Sequence, residues 1–226
     1  IYKAVTALIA ADVAVKAGKV VRINQEWLRT ARARLAVSPV PALASGEKMA
    51  LSFSSLAHLD AFWKTIALGL EEYERDGRIF FYNPHDFWAH IPGRKESEEA
   101  YYRHFAETKT HAFFTIGGAT TADLELKRQY QNEYFQIDAR EIPALGRNSH
   151  ISILGDHVIT VRMSKGFSSK IDALYDLNLP ARELAPQLEA LYQTPVRTRF
   201  VLEHNPLKAK KLIKTLSKNF YFWKPS

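Results

Sequence analysis

Histidine is the most versatile catalytic side chain in this sequence, and eight histidines are spread along the chain. A histidine can act as acid, base, nucleophile or metal ligand near neutral pH. The chain has no cysteine, which excludes disulfides, thiolate metal sites and cysteine nucleophiles. His85 and His90 flank an aspartate without the spacing of a metal-ligand set, and no Gly-x-Ser-x-Gly elbow occurs. We therefore expect no metal and no other cofactor.

The segment 83–94 combines aromatic, histidine and arginine side chains in a stretch without helical or strand periodicity. Aromatic walls with a few converging polar groups are typical of small-molecule pockets. We interpret Trp88, His90 and Arg94 as ligand-binding residues on this basis. A surface for self-association and plain core packing remain alternatives for the same segment.

A glycine pair, Gly117-Gly118, follows an apolar run and leads to Thr120 at the start of a helical pattern. Free N–H groups at a helix start favour anions, and open α/β sheets bind ligands beyond their strand ends. The pattern lacks the lysine of a phosphate-binding loop, so an ordinary turn is the alternative. We assign these three residues to the ligand site, with Arg140 and Arg147 as counter-charges for an anionic effector.

Basic side chains are concentrated at the two ends of the chain. Residues 1–40 carry seven basic and two acidic side chains, a net charge of +5, and residues 197–226 carry eight and one, a net charge of +7. The total of +7 leaves −5 for residues 41–196. Two basic ends on an acidic body indicate a surface that contacts a polyanion. The alternative is that these charges are merely solvated.

The N-terminal basic region has a helix–hairpin–helix pattern. Apolar spacing predicts a helix over 1–12, and β-prone runs around Ala17-Gly18 predict a hairpin within 13–23. Asn24 is a typical N-cap for a helix over about 25–36. A polar helix face and a cationic hairpin tip are suited to binding duplex DNA, and DNA binding through phosphate contacts weakens steeply as salt concentration rises. The predicted DNA-contacting residues are Tyr2, Lys3, Thr6, Lys16, Lys19 and Arg22.

The rest of the chain predicts a second, larger domain. The proline-containing run at 38–41 indicates a linker over 37–47. Beyond it we expect an α/β domain over 48–226, a mixed sheet with helices on both faces. The predicted strands are 49–53, 78–82, 111–116, 135–141, 149–154, 157–163, 170–175 and 196–203, and the predicted helices are 55–75, 96–107, 121–133, 180–192 and 206–218. Three interpretations of the basic last helix remain open: it packs on its own domain, it forms part of a dimer interface, or it makes a second contact with DNA.

Two stretches carry a resemblance to known families. Ile1–Leu8 and Asn24–Leu28 resemble the recognition helix and the Trp-containing helix of archaeal and bacterial winged-helix regulators. The region from about 48 to 203 resembles the phospholipase D-related effector domains of TrmB-like regulators, mainly at 149–161 and 170–175. The resemblance implies that residues 1–36 are the C-terminal part of a winged helix whose first helices precede Ile1.

The same resemblance bears on catalysis. Active phospholipase D-like enzymes carry His-x-Lys-x4-Asp at this hairpin, and His150 matches the nucleophilic histidine. Ser152 stands where the lysine would bind phosphate oxygens, and His157 stands at the aspartate position. Losing the lysine removes the charge that stabilises a phosphoryl transition state. The resemblance therefore implies a domain without catalytic residues, in which His150 belongs to the ligand site.

Together these patterns predict a cytoplasmic, homodimeric transcriptional regulator that binds double-stranded DNA and senses a small molecule. No apolar stretch approaches the roughly 20 residues of a bilayer span, so no membrane association is expected. One alternative is a phospholipase D-like phosphodiesterase or nuclease in which two chains pool their His150 residues. Another is an adaptor whose basic ends contact a protein partner.

Overall fold

The computed structural model of the chain divides into two compact units, Ile1–Pro41 and Ala42–Ser226. The structure describes residues 2–11, 13–17, 20–24, 42–73 and 77–220. The predicted helix over 25–36 and the first part of the predicted linker over 37–47 lie outside these residues. Each unit is described by itself below.

The N-terminal unit contains one helix and one hairpin within its described residues. Helix α1 spans Tyr2–Ala10, and strands β1 (Ala14–Ala17) and β2 (Val20–Ile23) pair in antiparallel fashion. The amide of Val13 donates to the Leu8 carbonyl at 2.9 Å, and the amide of Asn24 donates to the Val13 carbonyl at the same distance. These bonds tie the hairpin to the end of the helix. The predicted helix over 1–12 and the predicted hairpin are confirmed.

The larger unit is an α/β structure built on one mixed sheet. Its elements are β3 (Lys48–Phe53), α2 (Leu56–Tyr73), β4 (Arg78–Asn83), α3 (Lys95–Thr108), β5 (His111–Ile116), α4 (Thr121–Tyr130), β6 (Phe135–Ala139), β7 (Ser149–Leu154), β8 (His157–Met163), α5 (Lys165–Tyr175), α6 (Ala181–Tyr192), β9 (Thr198–His204) and α7 (Pro206–Leu216). Short 3₁₀ helices span Phe87–His90, Pro143–Leu145 and Ser217–Asn219. The predicted α/β class and mixed sheet are confirmed.

The strand order of the sheet is β3-β9-β8-β7-β4-β5-β6. Strands β4, β5 and β6 run parallel, and the other neighbouring pairs are antiparallel. Because β7 runs against β4, the chain leaves β4, β5 and β6 at the edge where it enters β7. Loops from several elements therefore meet at this one edge, as open α/β sheets require for a ligand site.

The two faces of the sheet are covered by different helices. Phe80 and Tyr82 of β4 belong to an apolar cluster with Ala209 and Leu216 of α7. Successive side chains of a strand point to opposite faces, so Phe81 faces the other side, toward α2 and α3. Strand β4 is buried over most of its length, which explains its apolar run.

The predicted strand over 170–175 is wrong, because these residues form the second half of helix α5. Phe167, Ile171 and Tyr175 are buried and recur at every fourth position, which is the spacing of a helix face. Ser164 caps the helix through its hydroxyl, which accepts from the amide of Phe167 at 3.4 Å. The β-prone run was therefore only the end of a longer amphipathic pattern.

Candidate functional site

A partly enclosed cavity of about 80 Å³ lies between the sheet and helices α2 and α3. One water molecule occupies roughly 10–15 Å³ of such a cavity, so the space can hold about five to eight non-hydrogen atoms the size of a water oxygen. Phe81, Phe114 and Ser152 contribute from the sheet, and Trp63 and Tyr101 contribute from the helices. The cavity is large enough for a small organic molecule.

Aromatic rings form most of the cavity wall, and they pack on one another. Trp63 meets Phe81 with ring centroids 6.1 Å apart and meets Tyr101 edge-on at 5.6 Å. Tyr102 stacks on Phe135 at 4.7 Å. Such contacts add to burial in fixing ring positions, so the wall is preorganised.

The cavity lining also holds three carboxyl groups, from Asp60 of α2, Asp86 of the β4–α3 loop and Glu98 of α3. Arg94 donates to Asp60 and, at 3.2 Å, to Glu98, and the Lys64 ammonium lies 2.7 Å from Glu98. Burial raises the pKa of Asp60 to about 6, and the charge of Glu98 adds to the effect. Two of the three carboxyl groups are therefore paired with cations.

Asp86 differs from the other two carboxyl groups. It is 4% exposed and accepts hydrogen bonds from the Tyr102 hydroxyl at 2.7 Å and the Asn83 amide at 3.3 Å. Burial and, to a smaller extent, the charge of the neighbouring Glu98 raise the pKa of Asp86 to about 7. Within the described residues no lysine or arginine forms an ion pair with it.

His150 of β7 lines the cavity beside Trp88, so the structure brings these two predicted ligand residues together. The His150 ring meets Phe87 and Trp88 edge-on at 5.9 Å and 6.4 Å. Burial lowers the pKa of His150 to about 3, which keeps its imidazole neutral at physiological pH. A neutral ring offers one donor and one acceptor to a ligand.

Of the three phospholipase D-like positions, His150 and Ser152 line the cavity, whereas His157 lies away from them. His150 lies opposite Val161 near the start of β7, whereas His157 lies opposite Leu154 at the other end of the hairpin. The His157 ring stacks on His204 at 4.6 Å. A strand rises about 3.3 Å per residue, so His150 and His157 are separated by most of the length of β7.

A second cluster of polar side chains lies at the carboxyl ends of β4 and β5. The Nδ1 atom of His85 donates to Asp123 Oδ2 at 3.0 Å, and its Nε2 atom accepts from Arg147 Nη2 at 2.6 Å. Arg147 also donates to Asp172 at 2.9 Å, and the His85 ring stacks on Tyr175 at 3.9 Å. His85 and Asp123 are 2% and 1% exposed. We call these five residues the His85 cluster.

The predicted residues Gly117, Gly118 and Thr120 adjoin the His85 cluster. A Cβ atom at Gly118 would lie 2.6 Å from Asp123 Oδ2, and one at Gly117 would lie 2.9 Å from the Tyr82 hydroxyl. Thr120 and Asp123 form a capping box, in which the Thr120 amide donates to Asp123. The next amide, of Thr121, donates to Asn178 at 2.8 Å. These two amides at the start of α4 are already used within the chain.

The remaining predicted ligand residues lie in different places. Arg94 borders the cavity through its ion pairs with Asp60 and Glu98. Arg140 binds Asp138 at 2.5 Å and donates to the Thr215 carbonyl at 3.1 Å, so it caps the end of α7. His90 lies near Tyr175, with ring centroids 6.3 Å apart, and burial lowers its pKa to about 4.

Several site residues were not identified from the sequence. Asp60, Trp63 and Tyr101 lie on helices whose amphipathic pattern gives no sign of a cavity. Asp123 did carry a signal, because an acidic residue three positions after Thr120 is typical of a capping box. Asp86 was noticed only as part of the histidine-rich segment.

In the N-terminal unit, the side chains of Lys3 and Thr6 are exposed on α1. Lys16 and Arg22 occupy neighbouring positions of the hairpin, where Lys16 pairs with Val21 and Arg22 with Val15. Tyr2 is the first residue of α1, and Lys19 lies outside the described residues. The predicted DNA-contacting residues that the structure describes thus lie on one helix and one hairpin.

Across the described ranges, no three histidine, aspartate or glutamate side chains are grouped so that they could hold a metal ion. None of the described helices has the length and apolar character needed to cross a bilayer.

No known protein family matches the chain, and no curated protein matches it. Among solved structures the chain is similar to that of TrmBL2, an archaeal chromatin protein reported to show a novel mode of DNA binding. The two are 8% identical with a TM-score of 0.39, over 96% of this chain and 79% of that chain.

Proposed function

We propose that this chain is a DNA-binding regulatory protein whose N-terminal unit contacts duplex DNA and whose α/β unit binds a small-molecule effector. The observation that carries the proposal is the compact basic unit formed by α1 and the β1–β2 hairpin. Its first 40 residues carry seven basic and two acidic side chains. A unit with this excess of positive charge fits a polyanionic partner.

The geometry of this unit suits the grooves of DNA. An α-helix fits the major groove, and the exposed Lys3 and Thr6 on α1 offer hydrogen bonds to phosphates or base edges. The hairpin follows the helix directly and carries Lys16, Lys19 and Arg22 around its turn. These cations would neutralise phosphates that flank the groove and release their counterions. A helix followed by a cationic hairpin supports the proposal that this unit is part of a winged helix.

The α/β unit is suited to binding rather than turnover. Its cavity is partly enclosed by aromatic rings. His150 in the cavity is neutral, and Ser152 stands where a phospholipase D-like site has a lysine. A phosphoryl transition state would find no cation among the lining residues that the structure describes. An effector bound there can change DNA affinity only if it binds one conformation more tightly.

We further propose that the protein acts as a cytoplasmic homodimer, because operators are usually two-fold and place two reading helices one turn apart. Regulation would then change the spacing of two N-terminal units.

DNA binding is tested by fluorescence anisotropy with a labelled duplex from roughly 50 to 200 mM salt. We expect Lys19→Ala combined with Arg22→Ala to weaken binding and to reduce the slope of log K against log[salt] by about 2, since each lost phosphate contact removes about 0.9. As a matched control, Arg103→Ala with Arg128→Ala removes the same charge from exposed positions of α3 and α4.

The control variant should bind as the wild type does. An intact protein without duplex affinity at low salt would contradict the proposal. So would phosphodiester hydrolysis that His150→Ala abolishes, because that result supports the enzyme alternative.

A further inference from the structure

The charge of the cavity lining is negative. Asp60, Asp86 and Glu98 line the cavity, and no lysine or arginine stands among the lining residues in the described part of the chain. Arg94 and Lys64 pair with Asp60 and Glu98, which leaves the carboxyl group of Asp86 in excess. A buried carboxylate needs a positive partner, because desolvation otherwise makes its ionised form costly.

The aromatic wall supplies a second source of attraction for a cation. Trp63, Trp88 and Tyr101 line the same space as Asp86. The face of an aromatic ring carries negative charge density and attracts ammonium groups, most strongly in tryptophan and when the cation is desolvated. An enclosed aromatic site beside a carboxylate therefore favours a positively charged organic ligand over a hydrated metal ion.

A polar ligand atom is indicated by Ser152. This residue is 5% exposed and lines the cavity. Its hydroxyl group can donate one hydrogen bond and accept others, so it can hold a polar atom of a ligand in the cavity. The neutral His150 beside it adds one donor and one acceptor.

The three arginines that the sequence suggested for the ligand site are already paired with carboxylates. Arg94 pairs with Asp60 and Glu98, and Arg140 pairs with Asp138. Arg147 lies 2.9 Å from Asp172 in the His85 cluster. An anion in the cavity would instead meet the carboxyl group of Asp86. The charges of the described residues thus favour a cationic effector over an anionic one.

We propose that the cavity beneath α2 and α3 binds a small alkylammonium ion, with its charge between the aromatic rings and Asp86 and a polar atom at Ser152. This inference rests on the proposed function in taking the ligand to be the effector, but the binding itself needs no DNA. The volume of about 80 Å³ suits a compact ion such as choline.

The test compares choline with 3,3-dimethylbutan-1-ol, which has the same shape and hydroxyl group but no charge. Binding of each to the intact protein near pH 7.5 is measured by calorimetry and by the fluorescence of Trp63 and Trp88, which line the cavity. We expect choline to bind saturably, one molecule per chain, and at least about tenfold more tightly than the neutral alcohol.

A variant locates the binding in this cavity. Asp86→Asn keeps the shape of the side chain and removes its charge, so choline affinity should fall roughly tenfold or more. Asp156→Asn makes the same change at an exposed turn and should leave affinity unchanged. The comparison of the two ligands on the wild type stands even if a variant does not fold.

Equal affinity for choline and the alcohol, no binding of either at millimolar concentration, or full choline affinity in Asp86→Asn would each overturn the inference. Choline binding by a protein that ignores duplex DNA supports the inference and contradicts only the proposed function. A change in duplex affinity on adding choline would support both.

Discussion

Asp86 is buried close to other acidic side chains. Its carboxyl group accepts hydrogen bonds from Tyr102 and Asn83. The negative charges of Glu98 and Asp123 repel its ionised form. Burial is the largest cause of its raised pKa. A bound cation would relieve the cost of the ionised form, so ligand and proton compete to neutralise this group.

The raised pKa of Asp86 has a consequence for stability. The pKa rises from 3.8 to about 7 on folding, so between these values the folded chain keeps a proton that the unfolded chain loses. The unfolding free energy therefore falls as pH rises from about 4 to 7. We expect Asp86→Asn to flatten this fall and to be more stable than the wild type at pH 8. Urea denaturation at pH 5 and pH 8 measures both effects.

Asp60, whose pKa is raised to about 6, also lowers the unfolding free energy as pH rises, and it is still present in the Asp86→Asn variant. His90 and His150 act in the opposite sense, because their pKa values are lowered and stability is lost as pH falls below about 6.5. Only the difference between variant and wild type therefore isolates Asp86. If the unfolding free energies of the variant and the wild type depend on pH in the same way, Asp86 is ionised equally in the folded and unfolded states, which contradicts the prediction.

At the residue scale, the sequence identified side chains more readily than their partners. Trp88 and His150 were assigned to a ligand site and do line the cavity. Arg94 was assigned to the ligand site, yet its side chain is held by Asp60, which lies 34 positions away on helix α2. Local spacing cannot show such a pair, because it exists only after α2 and α3 pack on the sheet.

Among the elements, the turn into α4 is tightly packed against the His85 cluster. A Cβ atom at Gly118 would lie 2.7 Å from the His85 ring as well as 2.6 Å from the Asp123 carboxylate. Both neighbours are buried and hydrogen-bonded, so neither can move without breaking the cluster. Gly118 is required there by space rather than by backbone conformation.

We expect Gly118→Ala to lower the free energy of unfolding by about 1–3 kcal/mol, the usual cost of overpacking. Gly166→Ala is the matched control, because Gly166 lies in helix α5 and a Cβ atom there meets nothing within 4 Å. Alanine is the better helix former, so the control should gain roughly 0.5–1 kcal/mol. Denaturant titration of both variants tests the pair, and a gain at Gly118 would contradict the packing described.

Element boundaries were predictable where apolar runs end at turn residues. The predicted bounds of β5, β7 and β8 agree with the structure, since Gly155-Asp156 and Gly117-Gly118 mark where the runs stop. Helix α5 was missed because its first turn, with Lys165 and Gly166, has weak helical character. Its pattern becomes clear only when Phe167 is counted with Ile171 and Tyr175.

For the whole molecule, the charge distribution was readable from the sequence but the sheet order was not. The alternation of strands and helices predicted a mixed sheet, whereas nothing local shows that β7 inserts beside β4 or that β3 joins β9. These pairings depend on closing long loops, and short-range patterns carry no information on them. The cavity follows from that order, because it brings β7 with His150 beside β4 with Phe81.

Strand β3 is the first strand of the large unit, but its neighbour β9 is the last. Lys48 lies opposite Glu203 and Phe53 lies opposite Thr198, while the amide of Gly46 donates to the His204 carbonyl at 2.8 Å. During translation, β3 therefore leaves the ribosome long before its partner exists, and the nascent chain carries an unpaired strand until β9 is made. A chain that stops at Pro195 should aggregate, whereas one that stops at Phe220 should stay in the supernatant on sedimentation. We therefore expect the nascent chain to need protection of β3 until β9 has been synthesised.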